Sequence, residues 1–211
     1  MKYKLAGLYF GYLLVVWTLY RLFIHQPEAI DEFLIKPLIW LTPLLLYFLP
    51  KNKLTLASLG FQTRNLLPTL FVSLGLGFVF MLISIVANYL KYHHTLIFSA
   101  SLGADNLTTL VLLVLATSIT EEVAFRGYLF QSLKLETSPL VAGLLTTLMW
   151  FLIHVPIVVF ILKLNLLSSV LYLFLTVIYG AGALMAVGIT ENLLSPILMH
   201  LMWSLPIILY R

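Results

Sequence analysis

Long apolar runs alternate with short polar intervals along the whole chain. Seven runs stand out, and each is close to the ~20 residues that a helix needs to cross the hydrocarbon core of a membrane. The pattern predicts an all-α polytopic membrane protein, a bundle of about seven transmembrane helices. The runs are Leu5–Ile24, Phe33–Phe48, Leu66–Leu90, Leu107–Leu133, Pro139–Leu162, Leu166–Ile189 and Leu193–Tyr210.

Two of these runs carry signs of an interruption. Lys36 and Pro37 fall within the second run, and a proline opposes a continuous helix because it has no backbone N–H to donate. The fourth run is long enough to be broken at its polar stretch 117–120. Residues 51–64, between the second and third runs, are predicted to form a connecting loop, with a short amphipathic piece at the membrane interface as the alternative.

The composition agrees with a protein that lies in a membrane. The chain is 62% hydrophobic and only 9% charged, with a mean hydropathy of +1.06, whereas a soluble domain carries about 25% charged residues. The polar intervals are much shorter than the ~50 residues that a small domain needs. We therefore expect one membrane domain over residues 1–211, with an anchored first helix.

The charge and the cysteine count exclude several classes of function. The net charge of +4 comes mostly from basic residues between the apolar runs, where lipid headgroups are the expected partner and nucleic acid is not. The sequence contains no cysteine. Disulfides, thiolate metal sites and a cysteine nucleophile are thus ruled out.

Ionisable side chains lie inside three of the apolar runs. A charged side chain near the bilayer centre costs roughly 2.5–3.5 kcal/mol on insertion scales, so such residues mark a functional site by default. If the helices alternate in direction, these residues fall at depths that agree to within about two turns. We expect a shared site between helices 4, 5 and 7, built from Glu121, Glu122, Arg126, His154 and His200.

The spacing on the fourth helix separates the two acids. Glu122 and Arg126 are four residues apart and can pair along one helix face, whereas Glu121 points about 100° away. The Glu122–Arg126 pair is interpreted as a buried ion pair that either fixes helix packing or supports a site. Glu121 is expected to face a cavity. Trp150, four residues before His154, is expected to pack near the imidazole.

The chemistry of such a set of residues has two interpretations. The sequence has neither the H-E-x-x-H helix of a zinc protease nor a G-x-S-x-G nucleophile elbow. A glutamate and two histidines could activate a water molecule and stabilise a tetrahedral oxyanion. The same three side chains, Glu121, His154 and His200, could instead hold a metal ion.

The order of these motifs resembles that of a known family. Glu-Glu-x-x-x-Arg at 121–126, an aromatic residue four positions before His154, and His200 in the last helix are similar to the three motifs of the CAAX protease and bacteriocin-processing family of intramembrane endopeptidases, also called the Abi family. The stretches 188–200 and 59–61 add weaker similarity. The resemblance covers about residues 55–211, which implies a protease-like core there and N-terminal helices at 1–54, in a small bacterial member.

The resemblance also implies a role for each polar residue. Glu121 would activate the attacking water together with His154, and His200 would contribute to the oxyanion hole. Endopeptidases of this family that process CAAX proteins are regarded as glutamate proteases, so no cofactor is expected, with a zinc ion at Glu121, His154 and His200 as the open alternative. The implied catalytic residues are Glu121, Glu122, His154 and His200, and the supporting ones are Arg126, Ser204 and Trp150.

Two positions depart from the family pattern. Trp150 stands where the family usually has phenylalanine, a mild change at a packing position. Ser204 stands where the family has asparagine or aspartate, and the loss of one oxyanion donor costs ~2.7–4 kcal/mol. The function therefore has two main hypotheses: an intramembrane endopeptidase, or a catalytically weak relative that acts as a binding, immunity or regulatory protein.

A third hypothesis, a transporter or proton relay, would also account for buried ionisable groups. The chain shows no internal repeat that would favour it. The expected partners are the lipid bilayer and a peptide or membrane-protein substrate. The expected location is the cell membrane, as a multi-pass protein of the bacterial plasma membrane.

Overall fold

Seven apolar helices make up most of the part of the chain that the computed structural model describes, which is 2–24, 26–91, 95–96 and 104–209. Six are long and apolar enough to cross a membrane, and the seventh is a shorter apolar helix of 16 residues. The predicted all-α, multi-pass membrane fold is confirmed. The helices are α1 (Lys2–Phe23), α2 (Glu28–Lys51), α3 (Leu66–Lys91), α4 (104–134), α5 (Pro139–Leu162), α6 (Leu166–Thr190) and α7 (Leu194–Leu209).

The second helix continues through the predicted interruption. A proline ring clashes with the carbonyl four residues earlier, and α2 widens into π-helical turns where those carbonyls lie. Asp31–Ile35 widens ahead of Pro37, and Leu44–Phe48 widens ahead of Pro50. Helix α2 is therefore continuous, and it is longer than the predicted Phe33–Phe48. Tyr210, the predicted end of the last helix, lies outside the described residues.

The predicted break at 117–120 in the fourth helix is wrong. The helix is regular over Ala104–Glu122 and widens only at Val123–Leu129. Polar side chains within the stretch have partners that do not disturb the backbone: Thr117 donates to Oε2 of Glu32 at 2.6 Å, and Ser118 donates to the Val114 carbonyl at 2.7 Å. Short hydroxyl side chains inside a helix commonly make such bonds.

The segment between α2 and α3 is a loop with one short helical turn, Ala57–Leu59. The turn ends at Gly60, whose φ of +98° suits glycine. The Gly60 carbonyl accepts a hydrogen bond from the Leu193 amide at 2.8 Å, so this loop lies against the connection between α6 and α7. The predicted connecting loop is confirmed.

Aromatic side chains join the first two helices to α4. Tyr9 of α1 packs against Phe48 of α2 and Tyr128 of α4, with ring centroids 5.1 Å apart in both pairs. Trp40 of α2 lies 5.9 Å from Phe125 of α4. This packing places the inner face of α2 beside the acidic residues of α4.

Candidate active site

Glu122 is the centre of the buried polar cluster. Its side chain is fully buried, and one oxygen, Oε1, has three partners on three different helices. Arg126 Nη1 lies 3.1 Å away, the Tyr179 hydroxyl 3.0 Å, and His200 Nδ1 2.9 Å. The expected Glu122–Arg126 pair is therefore present, and it also binds α6 and α7 to α4.

Glu121 lies beside a cation rather than an empty cavity. Its Oε1 is 2.5 Å from Nζ of Lys36, which comes from α2. Lys36 is almost completely buried and also bonds Oε2 of Glu32 at 2.8 Å. The expectation of a free Glu121 considered only cations at helical spacing on the same helix, whereas this cation comes from a neighbouring helix.

His200 lies between the two acids. Its Nδ1 faces Oε1 of Glu122, and its Nε2 lies 4.0 Å from Oε2 of Glu121. Because an ionised carboxylate only accepts hydrogen bonds, Nδ1 carries the proton toward Glu122. A gap of 4.0 Å is too long for a direct hydrogen bond, and one water molecule could bond to both groups.

His154 is held by its own helix. Its Nδ1 lies 2.7 Å from the Trp150 carbonyl, which can only accept, so Nδ1 is the protonated nitrogen and Nε2 keeps a lone pair. The imidazole is partly exposed and lies 4.6 Å from the Trp150 ring. The expected contact between Trp150 and His154 is confirmed.

One indole ring connects the two histidines and the arginine. The Arg126 guanidinium carbon lies 4.3 Å from the centroid of Trp150, a cation–π geometry. His200 contacts the same ring edge-on, with centroids 5.7 Å apart. Glu121 lies within electrostatic range of both histidines. The residues that the sequence predicts for α4, α5 and α7 thus come together, and Arg126, His154 and His200 all contact Trp150.

Comparison with known proteins gives one family match. Residues 103–205 match the model of the Rce1-like family, described as type II CAAX prenyl endopeptidase Rce1-like. This match covers just under half of the chain and agrees with the resemblance seen in its motifs. No curated protein and no solved structure matches the chain.

The similarity to the CAAX endopeptidase family agrees with the residues that meet in the structure. The matched segment contains Glu121, His154 and His200, and the family consists of membrane proteases of the CAAX type. The match supports a membrane protease of the CAAX type in general. Its substrate and the steps of its reaction are considered below.

Ser204, the departure from the CAAX-family pattern, lies one turn beyond His200 on α7. It is partly buried, and no hydrogen bond to the described part of the chain involves its hydroxyl. Its neighbour Trp203 packs on Tyr179 with ring centroids 5.7 Å apart. The Ser204 hydroxyl is thus available to a ligand, although it is shorter than the amide usual in the family.

The alternative of a zinc ion does not fit this arrangement of side chains. Within the described ranges, no three His, Asp or Glu residues stand together as a metal ligand set. The Lys36 ammonium occupies one oxygen of Glu121, and its positive charge would repel a metal ion at the same carboxylate. No step below uses a metal.

Two residues of the site were missed in the sequence. Lys36 carries the same signal as the acids, an ionisable group in an apolar run. Because Pro37 follows it, the sequence pattern favours a helix interruption there instead of a site residue. Tyr179 is one of 11 tyrosines, and nothing in its spacing distinguishes it. Its hydroxyl bond to Glu122 depends on how α6 packs against α4.

Proposed function

We propose that the protein is an intramembrane endopeptidase of the bacterial plasma membrane, which hydrolyses a peptide bond in a membrane-associated peptide or protein. The observation that carries this proposal is the gap between Oε2 of Glu121 and Nε2 of His200. Glu121 as a base and His200 as a hydrogen-bond donor face each other there, close enough for both to bond one water molecule or one reacting oxygen.

The proposed first step is attack by water. Glu121 accepts a proton from the water through Oε2, because Oε1 is occupied by Lys36. The water oxygen bonds to the scissile carbonyl carbon, and the carbonyl becomes an oxyanion. His154, whose Nδ1 is used by Trp150, presents Nε2 as a second acceptor for the same water.

The proposed second step is collapse of the tetrahedral intermediate. His200 acts as an imidazolium that is already protonated before the attack, so that Nδ1–H donates to Glu122 and Nε2–H donates to the oxyanion. The carbon–nitrogen bond then breaks, and the proton on Glu121 passes to the leaving amine. Glu121 returns to its ionised form, and the products are a carboxylic acid and an amine.

A second function, a binding or regulatory protein without efficient catalysis, is favoured by Ser204. A serine hydroxyl at a position where the family pattern has an amide or carboxylate is a shorter donor, and losing one oxyanion donor reduces kcat about 10²–10³-fold. Such a protein would still bind a peptide within the bundle. The experiment below separates the two functions.

The test compares the new peptide termini released by membranes that carry wild-type protein, Glu121→Gln or Glu191→Gln. Glu191 is a solvent-exposed glutamate paired with Arg64 at the surface, so Glu191→Gln controls for the loss of one carboxylate. Termini lost only with Glu121→Gln support the endopeptidase and identify its substrates. Identical termini from all three membranes, with the cellular function intact, support the binding protein.

A further inference from the structure

Lys36 lies outside the segment that matches the CAAX endopeptidase family and on a helix that carries none of the family motifs. Its side chain is only 4% exposed. It bonds Glu121 of α4 at 2.5 Å and Glu32 of its own helix at 2.8 Å. Lys36 therefore contacts the proposed base directly, through the carboxylate oxygen that does not face His200.

The surroundings of Lys36 fix its position. The rings of Trp17 and Trp40 lie 5.7 and 5.5 Å from the ammonium nitrogen, within the range of a cation–π contact. Glu32 is fixed in turn by the Thr117 hydroxyl at 2.6 Å. The ammonium therefore has two carboxylates and two aromatic faces as partners, on α1, α2 and α4.

Stability alone is a poor explanation for this arrangement. Taking charges out of water costs as much as the pair regains, and well-packed apolar residues at such sites are often equally or more stabilising. Here the cation also orders a carboxylate that has a chemical task. With Oε1 bound to Lys36, Glu121 has only Oε2 free, and Oε2 is the oxygen that faces His200.

The charges of the cluster support the same conclusion. Three carboxylates, those of Glu32, Glu121 and Glu122, stand against Lys36, Arg126 and the protonated His200 of the proposed mechanism, so the charges balance. When Glu121 takes the proton from water, the oxyanion supplies the negative charge that Glu121 loses. Without Lys36 the cluster would hold an uncompensated negative charge among buried groups.

We propose that Lys36 is a positioning residue for the hydrolysis: it holds Oε1 of Glu121 so that Oε2 is directed at the attacking water. The proposal rests on the function proposed above. It assigns the N-terminal helix α2 a part in the reaction, in addition to the helices that carry the family motifs.

The test measures kcat and KM of purified protein on a fluorogenic peptide that spans a Glu121-dependent cleavage site. Lys36→Met is expected to lower kcat by about 10²-fold, the typical cost of misplacing a reacting group, with KM unchanged. Lys36→Arg, which keeps the cation, is expected to recover part of the loss. Lys163→Met, at an exposed lysine directly after α5, is the matched control and is expected to leave kcat unchanged.

A second variant separates positioning from folding. Lys36→Met leaves Glu32 and Glu121 without their shared cation, so the protein could accumulate poorly for that reason alone. Glu32→Gln combined with Lys36→Met removes one of the two carboxylates and is expected to accumulate normally. If Lys36 positions Glu121, kcat per folded molecule stays low in this double variant, whereas a purely structural role predicts full recovery.

The activities of Lys36→Met and of the double variant distinguish a failure of the Lys36 proposal from a failure of the proposed function. Full kcat in Lys36→Met, or a higher kcat as expected if Lys36 were an inhibitory latch, overturns the proposal and leaves the endopeptidase intact. Loss of activity in Lys36→Met with full recovery in the double variant also overturns it. If wild-type protein shows no Glu121-dependent cleavage, the proposed function itself fails, and the role of Lys36 fails with it.

Discussion

The two nitrogens of His200 face two consecutive acids, with Nδ1 2.9 Å from Glu122 and Nε2 4.0 Å from Glu121. Consecutive residues on a helix point about 100° apart, so one imidazole on α7 can lie between them. The acid that contacts Arg126 orients the ring, and the other acid remains beside the gap.

The Glu122–Arg126 pair is expected to behave as a unit in stability. Glu122→Gln and Arg126→Gln should each destabilise the protein by about 3–5 kcal/mol, because each leaves a buried charge without its partner. The variant with both changes should be more stable than either single variant. Thermal unfolding in detergent measures this, and simple additivity of the two effects would contradict the prediction.

The Tyr179 hydroxyl is expected to contribute through its bond to Glu122. Tyr179→Phe keeps the ring contacts with Trp150 and His200 and removes only the donor at 3.0 Å. A hydrogen bond to a charged group is worth about 1.5–3 kcal/mol, so unfolding should become easier by that amount. Tyr47→Phe is the control, since Tyr47 is 55% exposed, and an equal effect there would contradict the prediction.

Ser204→Asn is expected to increase activity. The amide reaches further than the hydroxyl and would supply the donor that the family pattern has one turn after the histidine. Removing one such donor lowers kcat about 10²–10³-fold in other hydrolases, so a gain of at least about tenfold in kcat is expected. Steady-state cleavage measures it, with Ser204→Ala expected to be close to wild type. A large loss in Ser204→Ala would instead show that the hydroxyl already acts.

Gly182 is expected to be a packing position on α6. A Cβ there would lie 2.5 Å from the ring of Phe80, whereas a Cβ at Gly188 on the same helix meets no atom within 4 Å. Gly182→Ala should therefore cost about 1–3 kcal/mol through overpacking, and Gly188→Ala should not destabilise. Unfolding midpoints of the two variants compare the effects directly, and equal midpoints would show that Phe80 moves aside without cost.

The hydrophobic pattern predicts the fold well because each apolar run is close to the length of a membrane span. The pattern fails where a proline or a polar residue is taken by itself as the sign of a helix break. Pro37 does not end α2, because the wider turn before it makes room for the ring, and the hydroxyl of Thr117 finds Glu32 on another helix. Neither the wider turn nor the contact with Glu32 can be recognised from local sequence.

The site shows the same limit. Spacing predicts the Glu122–Arg126 pair because both residues are on one helix. The partners of Glu121 and His200 come from α2 and α6 as well as α4, and their contacts depend on how the helices pack. An ionisable residue inside an apolar run is the signal that identifies Lys36, and it applies equally to cations and to acids.

All four tryptophans of the chain lie around the buried charges. Trp17 and Trp40 flank the Lys36 ammonium, Trp150 lies under Arg126 and touches both histidines, and Trp203 packs against Tyr179, which bonds Glu122. Indole emission is sensitive to nearby charge and to the entry of water. The intrinsic fluorescence of the unlabelled protein therefore reports on the site itself, so that peptide binding and protonation can be followed in real time without a dye.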